Sequence, residues 1–129
     1  MNPKANQSLI QSLTNRWEAI HNPSANTTCV ASVAAVANAR HRATNILASC
    51  RNQTAADVTT TLTIRDSSYA GTVLAQLDWL TYAADAVIIA APVNISGLLG
   101  NAVFVEFGTP AASVTQKVAL SGWTENPGN

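Results

Sequence analysis

The residues of this chain that could bind a metal are few and poorly placed for it. Its two histidines, His21 and His41, do not form a His-x-His or His-x-x-x-His pair, the spacings that bring two imidazoles onto one metal ion. His41 also lies between Arg40 and Arg42, whose positive charges oppose the binding of another cation. We therefore predict structural roles for both histidines, and neither a metal centre nor a cofactor.

The serines and carboxylates also lack the arrangement that hydrolysis requires. No serine stands in a Gly-x-Ser-x-Gly elbow, and a Ser-His-Asp triad can be assembled only by free choice of its partners. The carboxylates are scattered singly. Asp57 and Asp66 flank one predicted strand about 30 Å long, too far apart to act as an acid–base pair. We therefore expect no catalytic residues, and a hydrolytic enzyme is the least supported of the functions considered.

The charge balance limits the classes of partner. Seven basic residues balance seven acidic ones, so the formal net charge is zero. A surface that binds phosphates needs a basic surplus, and we therefore expect neither nucleic acid nor an anionic membrane as the partner. Charged residues make up 11% of the chain, against about 25% in a typical soluble domain. A surface so poor in charge resists association weakly, which slightly favours a subunit of an assembly over a free monomer.

The chain shows no signal for secretion or membrane insertion. Its first twenty residues contain no continuous apolar stretch of the signal-peptide kind. The longest apolar run, Ala86–Val93, is too short to span a bilayer. We expect synthesis in the cytoplasm, where Cys29 and Cys50 would stay reduced and buried, although a cross-strand disulfide between them is an alternative.

The elements that must position these residues are extended segments. In Asp57–Asp66 the residues at alternate positions are β-branched or aliphatic on one side and mostly threonine on the other, as in a half-buried antiparallel strand. Six more segments read as strands between turn residues: Thr28–Val33, Arg42–Arg51, Thr72–Trp79, Ala86–Ile95, Asn101–Phe107 and Ser113–Trp123. The fifth strand is apolar on both faces, with Val87, Ile88 and Ile89, which indicates a central strand or one buried at an interface. Pro92 within it indicates an edge position or a bulge near its end. Residues 27–123 are predicted to form one all-β, antiparallel β-sandwich of about seven to eight strands, jelly-roll or Ig-like, followed by a polar tail over 124–129.

The N-terminal segment, residues 1–26, has a different pattern. Leu9, Leu13, Trp17 and Ile20 recur at helical spacing, which predicts a short amphipathic helix over Gln7–Ile20. An extended arm is the alternative. In either form the apolar residues of this segment need a surface to pack against, either in their own sandwich or in a neighbour.

Two further groups of residues could form an exposed contact surface. Thr59, Thr61 and Thr63 lie on the side of the Asp57–Asp66 strand that faces away from its apolar residues. Trp79 and Tyr82 stand where a predicted strand meets a loop, and such rings can stack on sugars or anchor a subunit contact. Ordinary core and loop packing of these aromatic residues is the favoured alternative.

Six segments of the predicted sandwich together resemble small β-sandwich virion proteins of tailed bacteriophages: Arg40–Ile46, Val58–Asp66, Ala70–Leu74, Ile95–Leu98, Asn101–Phe107 and Val118–Trp123. The resemblance covers residues 27–123 and consists of strands and turns rather than a catalytic motif. It implies a non-enzymatic decoration or cement protein on the capsid exterior, made in the host cytoplasm, that bridges neighbouring capsid subunits.

The implied partners are the major capsid protein and copies of the chain itself, with a homotrimer expected around the capsid axes. Leu9, Leu13, Trp17 and Ile20 would then be the capsid contacts of the arm. A tail or fibre module that binds a carbohydrate or a receptor through Trp79, Tyr82 and Tyr69 is the alternative function.

Overall fold

The computed structural model describes residues 15–126, which form eight β-strands and no helix. In chain order the strands are β1 (Arg16–His21), β2 (Val30–Val33), β3 (Arg40–Asn52), β4 (Val58–Asp66), β5 (Val73–Thr81), β6 (Ala86–Ser96), β7 (Val103–Phe107) and β8 (Val114–Glu125). The all-β prediction is confirmed. The last strand runs to Glu125, so it includes the first residues of the predicted polar tail.

The strands form two four-stranded antiparallel sheets that pack face to face. The first sheet has the order β1-β8-β3-β6, and the second has the order β2-β7-β4-β5. The chain therefore changes sheet after every strand except β4. This arrangement of eight strands is a jelly roll, which decides between the jelly-roll and Ig-like alternatives of the sequence analysis.

The core lies between the inner faces of the two sheets. On β4 the inward residues Thr60, Leu62 and Ile64 are buried, as the period-two pattern predicts. On β8 the inward residues at alternate positions are likewise buried, among them Val118 and Leu120. Full burial of one such aliphatic side chain stabilises the fold by about 1.5–3 kcal/mol.

The segment Arg16–His21 is a strand and not the end of a helix. It pairs along its whole length with β8, from Arg16 opposite Trp123 to His21 opposite Val118. The helix predicted over Gln7–Ile20 is therefore wrong for its described part. The remainder of that prediction, with Leu9 and Leu13, lies outside the described residues.

The reason for this error is visible in the burial of β1. Ala19 is buried and Trp17 is packed against the core, whereas Ile20 is exposed on the opposite side. Trp17 and Ile20 suit one face of a helix, but the strand places them on different faces of the sheet. The free edge of β8 supplies the backbone partners of this segment, and such tertiary pairing overrides a weak helical pattern.

The Pro92 prediction is confirmed in both of its forms. Strand β6 is an edge of the first sheet, and its register with β3 shifts between the Ala43–Ile95 and Asn45–Pro92 pairs. Proline has no backbone N–H to donate to a ladder, so an edge or an irregular position accommodates it.

Gly122 lies inside β8, where the backbone of β3 passes close beside it at Arg42. A Cβ atom at this position would overlap the carbonyl oxygen of Arg42 and come within 2.8 Å of Cζ2 of Trp17. The indole of Trp17 thus occupies the space beside the strand that a side chain would need.

We predict that Gly122→Ala lowers the free energy of unfolding by about 1–3 kcal/mol, because the added methyl group forces β8, β3 or the indole to move. Urea unfolding measures the change. Gly108→Ala is the matched control, since a Cβ there meets no atom within 4 Å. Equal stability of the two variants would contradict the close approach at Gly122.

Both cysteines are free and buried. The thiol of Cys29 donates a hydrogen bond to the carbonyl oxygen of His21 at 3.4 Å, and the hydroxyl of Thr60 donates to Sγ of Cys50 at 3.3 Å. Burial raises the pKa of the Cys29 thiol from 9.0 to about 11, opposed in part by a backbone hydrogen bond from Val118.

This pKa shift predicts a loss of stability at alkaline pH. Between pH 9 and about 11 the folded state keeps the Cys29 proton while the unfolded state loses it, so the free energy of unfolding falls by about 2–3 kcal/mol across that window. Urea unfolding at several pH values should show the fall for the native chain and a smaller one for Cys29→Ala. Identical pH profiles of the two proteins would exclude the contribution of this thiol.

Candidate functional site

His41 is a structural residue of the first sheet. It is buried, and its Nε2–H donates to the carbonyl oxygen of Ala34 at 2.7 Å, which leaves Nδ1 to accept from the hydroxyl of Thr124 at 2.9 Å. The edge of the Trp17 indole packs on its ring with centroids 5.8 Å apart. Both ring nitrogens are engaged, so His41 has no free lone pair for a ligand.

His21 is also engaged, because its Nδ1 accepts the backbone N–H of Val30 at 3.0 Å. Glu18 stands three positions before it, a spacing that places two ligands on one side of a helix. On strand β1 the same spacing puts the two side chains on opposite faces of the sheet. No group of three or more His, Cys, Asp or Glu side chains within residues 15–126 could hold a metal ion.

The predicted threonine surface lies on the outer face of the second sheet and is occupied by internal hydrogen bonds. Thr59 is exposed, but Thr61 donates to Oδ1 of Asp78 at 2.6 Å. Thr63 is buried and accepts from the amide of Gln76 at 3.0 Å. The prediction of an exposed surface is therefore wrong for Thr63, because the longer side chain on the neighbouring strand covers it.

Two further contacts on this outer face are also made within the protein. Nε of Arg65 donates to the carboxylate of Glu106 at 2.7 Å in a partly buried ion pair. The ring of Phe104 is covered by that of Tyr69, with centroids 4.5 Å apart. A partner that docked here would have to displace these internal contacts.

Trp79 and Tyr82 do not form one exposed patch. Trp79 is only partly exposed and packs edge-on against the buried Phe107 at 5.8 Å, on the inner side of the second sheet. Tyr82 is exposed in the turn after β5, between that strand and β6. The alternation along β5 explains the difference, since Trp79 shares its face with the buried Thr81.

The outer face of the first sheet is different, because apolar side chains form a row across all four strands. Ile20 lies opposite Ala119, Ala119 opposite Leu47, and Leu47 opposite Ala90. Ile20 is 52% exposed and Leu47 is 51% exposed. We call this surface, with two neighbouring residues of β6, the apolar face: Ile20, Ala119, Leu47, Ala90, Pro92 and Ile88.

The flanks of the apolar face are mostly uncharged. On one side lie Asn45 and Ser121, with Glu18 at the end of that row. On the other side Ser49 separates Lys117 from Ile88, which is 73% exposed. Shallow grooves run along both sides of Leu47. Contiguous exposed apolar surface of this kind is typical of a docking site.

Of the residues that the sequence analysis proposed as contacts, Ile20 belongs to the apolar face and Trp17 does not. Leu47 was missed as a contact. Ile88 was assigned to a strand either central or buried at an interface, and the central position is wrong, because β6 is an edge strand. Each strand contributes only one to three residues to the face, and only the register brings them together. The signal available in the sequence was the run Ala86–Val93, which is apolar on both sides of its strand.

The comparisons with known proteins agree with this fold. No protein-family model matches the chain, and no curated protein matches it. The globular domain of zebrafish complement 1qA protein matches with a TM-score of 0.53 and 10% identity, over 85% of this chain and 96% of that one. At such identity the likeness shows the β-sandwich fold alone.

Other solved structures match with lower scores. CsCBM6-3 from Clostridium stercorarium, in complex with cellobiose, has a TM-score of 0.41 and 14% identity over 89% of this chain and 88% of its own. The coat protein of Tobacco streak virus has a TM-score of 0.36 and 10% identity over 88% of each chain. The structural neighbours thus include viral coat proteins and carbohydrate-binding modules. Within residues 15–126 no helical segment is long and apolar enough for a bilayer crossing.

We predict that Leu47→Lys changes the free energy of unfolding by less than about 0.5 kcal/mol, because the side chain packs against little in the isolated chain. Leu120→Ala, at a fully buried position of β8, should cost about 2–5 kcal/mol by comparison. Urea unfolding of both variants checks the contrast. Comparable losses would mean that Leu47 belongs to the core and not to a free surface.

Proposed function

We propose that this protein is a non-enzymatic structural protein of a tailed-phage particle that decorates and cements the capsid by bridging neighbouring capsid subunits. The observation that carries the proposal is the apolar face on the outside of the first sheet. A sandwich that leaves Ile88 and Leu47 largely exposed gains stability when another surface covers them. The resemblance of residues 27–123 to small β-sandwich virion proteins supplies the biological setting.

The energetics of the apolar face suit a contact that is repeated many times. Complete burial of a Leu or Ile side chain contributes about 1.5–3 kcal/mol, and part of this offsets the entropy lost on binding. One copy would therefore bind moderately, and each bridge across two capsid subunits would raise the effective affinity by multivalency. Because Glu18 and Lys117 are its only charged neighbours along the paired rows, the contact should depend little on salt.

The chemistry of the apolar face also indicates the kind of surface that it would bind. A flat apolar row bordered by Asn45, Ser49 and Ser121 fits an apolar surface whose rim offers neutral hydrogen-bonding groups. The partner in this proposal is the major capsid protein. Leu9 and Leu13 of the N-terminal segment remain part of the proposal as additional anchors on the capsid exterior.

A carbohydrate- or receptor-binding module of a tail or fibre is the alternative function. The exposed ring of Tyr82 supports it, since such rings stack on sugars. Trp79 does not support it, because its ring packs against Phe107. We therefore favour the capsid role.

The test is the binding of purified protein to capsids of the phage that encodes it, assembled without this protein. Leu47→Lys combined with Ile88→Lys should lower occupancy at least about tenfold, because lysine ammonium groups would have to be desolvated in the contact. Tyr82→Ser is the matched control and should bind as the native chain does.

Two results would contradict the proposal. The first is native occupancy by the double-lysine variant. The second is loss of binding by Tyr82→Ser together with specific, Tyr82-dependent binding on a glycan array, which would favour the carbohydrate alternative. Repeating the titration at low and high salt separates an apolar contact from an electrostatic one.

A further inference from the structure

The four sheet edges of the sandwich differ in how they are protected against pairing. The edge strand β1 contains Arg16 and Glu18, and β5 contains Asp78. The edge strand β2 is short, with only the four residues Val30–Val33. By contrast β6 has eleven residues and no charged side chain. Charge, short length, proline and bulges are the usual means by which proteins prevent edge-to-edge association. Strand β6 has a proline and a bulge only from Pro92 onward, and none of these four features over Ala86–Ala91.

Half of β6 offers a regular backbone edge. From Ala86 to Ala91 each residue has a partner on β3, in unbroken register from Arg51 to Ile46. Pro92 still lies opposite Asn45, but it has no N–H to donate, and the register shifts directly after it. Within the described part of the chain β6 pairs with β3 alone, so the other backbone edge of Ala86–Ala91 has no strand beside it.

The sandwich is also open on this side. The inward residues of β6 are only partly buried, unlike those of the neighbouring β3. A cleft of about 300 Å³ lies between β6 and β5, lined by Leu77, Ile89, Ala91, Val93 and other apolar side chains. On the opposite side of the sandwich β1 and β2 pack against each other. An added strand beside β6 would extend the sheet and cover part of this cleft.

We propose that β6 pairs with β6 of a second copy of this chain, antiparallel and through Ala86–Ala91. A two-fold axis perpendicular to the sheet joins the two first sheets into one sheet of eight strands. The absence of charge makes the edge compatible with itself, which an isologous contact requires. This pairing specifies one partner of the proposed function, and its physical basis does not depend on the capsid.

The β6 edge lies at the opposite end of the first sheet from the start of the described chain. The carbonyl oxygen of Asn15 accepts the N–H of Thr124 at 2.9 Å, which fixes the chain at the β1 edge. A strand beyond β6 would lie four strand spacings from β1, about 19 Å away, so β1 does not obstruct a second copy there.

The pairing is two-fold, so it predicts a dimer in place of the trimer that the phage resemblance implies. A strand pairing of six residues buries less surface than the roughly 800 Å² per partner of a standard interface. We therefore expect a dimer whose population rises with protein concentration. The two apolar faces would then lie side by side on one continuous surface, because Ile88 and Ala90 border the axis.

Sedimentation equilibrium of the full chain, without any particle, tests the proposal up to about 1 mM protein. The native chain should fit a monomer–dimer equilibrium. Ala90→Lys should weaken the dimer about tenfold or more, because it brings two ammonium groups close together across the new strand pair. Leu47→Lys is the matched control: Leu47 lies directly opposite Ala90 but one strand further from the edge, and its dimer constant should stay within about twofold of the native value.

Three outcomes would overturn the proposal. They are a native chain that remains monomeric throughout the range, a trimer, and equal weakening by Ala90→Lys and Leu47→Lys, which would mean that copies associate through the apolar face. Circular dichroism verifies that both variants keep the β-sheet signal. Because the measurement contains no capsid, its failure leaves the capsid-binding experiment as a separate test of the proposed function.

Discussion

The fold depends on the insertion of the last strand between the first and the third. Strand β8 pairs with β1 on one side and with β3 on the other, and the β3 pairing extends over the whole length of β8. These contacts join the two ends of the described chain, which are far apart in sequence. Gly122 permits β8 to lie close against β3 at Arg42, and Trp17 covers it from β1. Non-local pairing of this kind carries a large loop-closure entropy, which the buried side chains of β8 must offset.

The two outer faces of the sandwich satisfy their polar groups in different ways. On the second sheet the hydrogen bond from Thr61 to Asp78 and the ion pair of Arg65 with Glu106 link neighbouring strands. On the first sheet the apolar row contains Leu47, Ala119 and other side chains that have no hydrogen-bond donor or acceptor. The outer face of the second sheet is thus cross-linked by polar contacts within the chain, whereas the apolar row of the first sheet has no such links. For this reason the first sheet, and not the second, carries the candidate docking surface.

The sequence predicts the fold well where one strand alone carries the signal. The alternation over Asp57–Asp66 places Leu62 and Ile64 in the core without any knowledge of their neighbours, and the turn residues separate seven of the eight strands. Strand β1 was missed because its partner lies almost a whole chain length away, and helical spacing was the only local pattern. The apolar face could not be predicted for the same reason. Ile20 and Ala90 become part of one row only through the register of four strands.

The apolar face and the free edge of β6 share residues, and this sharing connects docking with self-association. Ile88 and Ala90 point outward from the same strand whose backbone edge is unpaired. If two copies join through β6, their apolar faces become one surface of twice the width without any change in either chain. A partner that contacts both halves binds the second half as an intramolecular event, so its affinity for the pair exceeds its affinity for one copy. Conversely, a partner that bridges two copies raises their local concentration. It thereby favours the β6 pairing, which is too small to hold two copies together stably without that partner. The absence of charge on β6 is a liability for a free monomer, but under the proposed capsid role it becomes a condition for assembly.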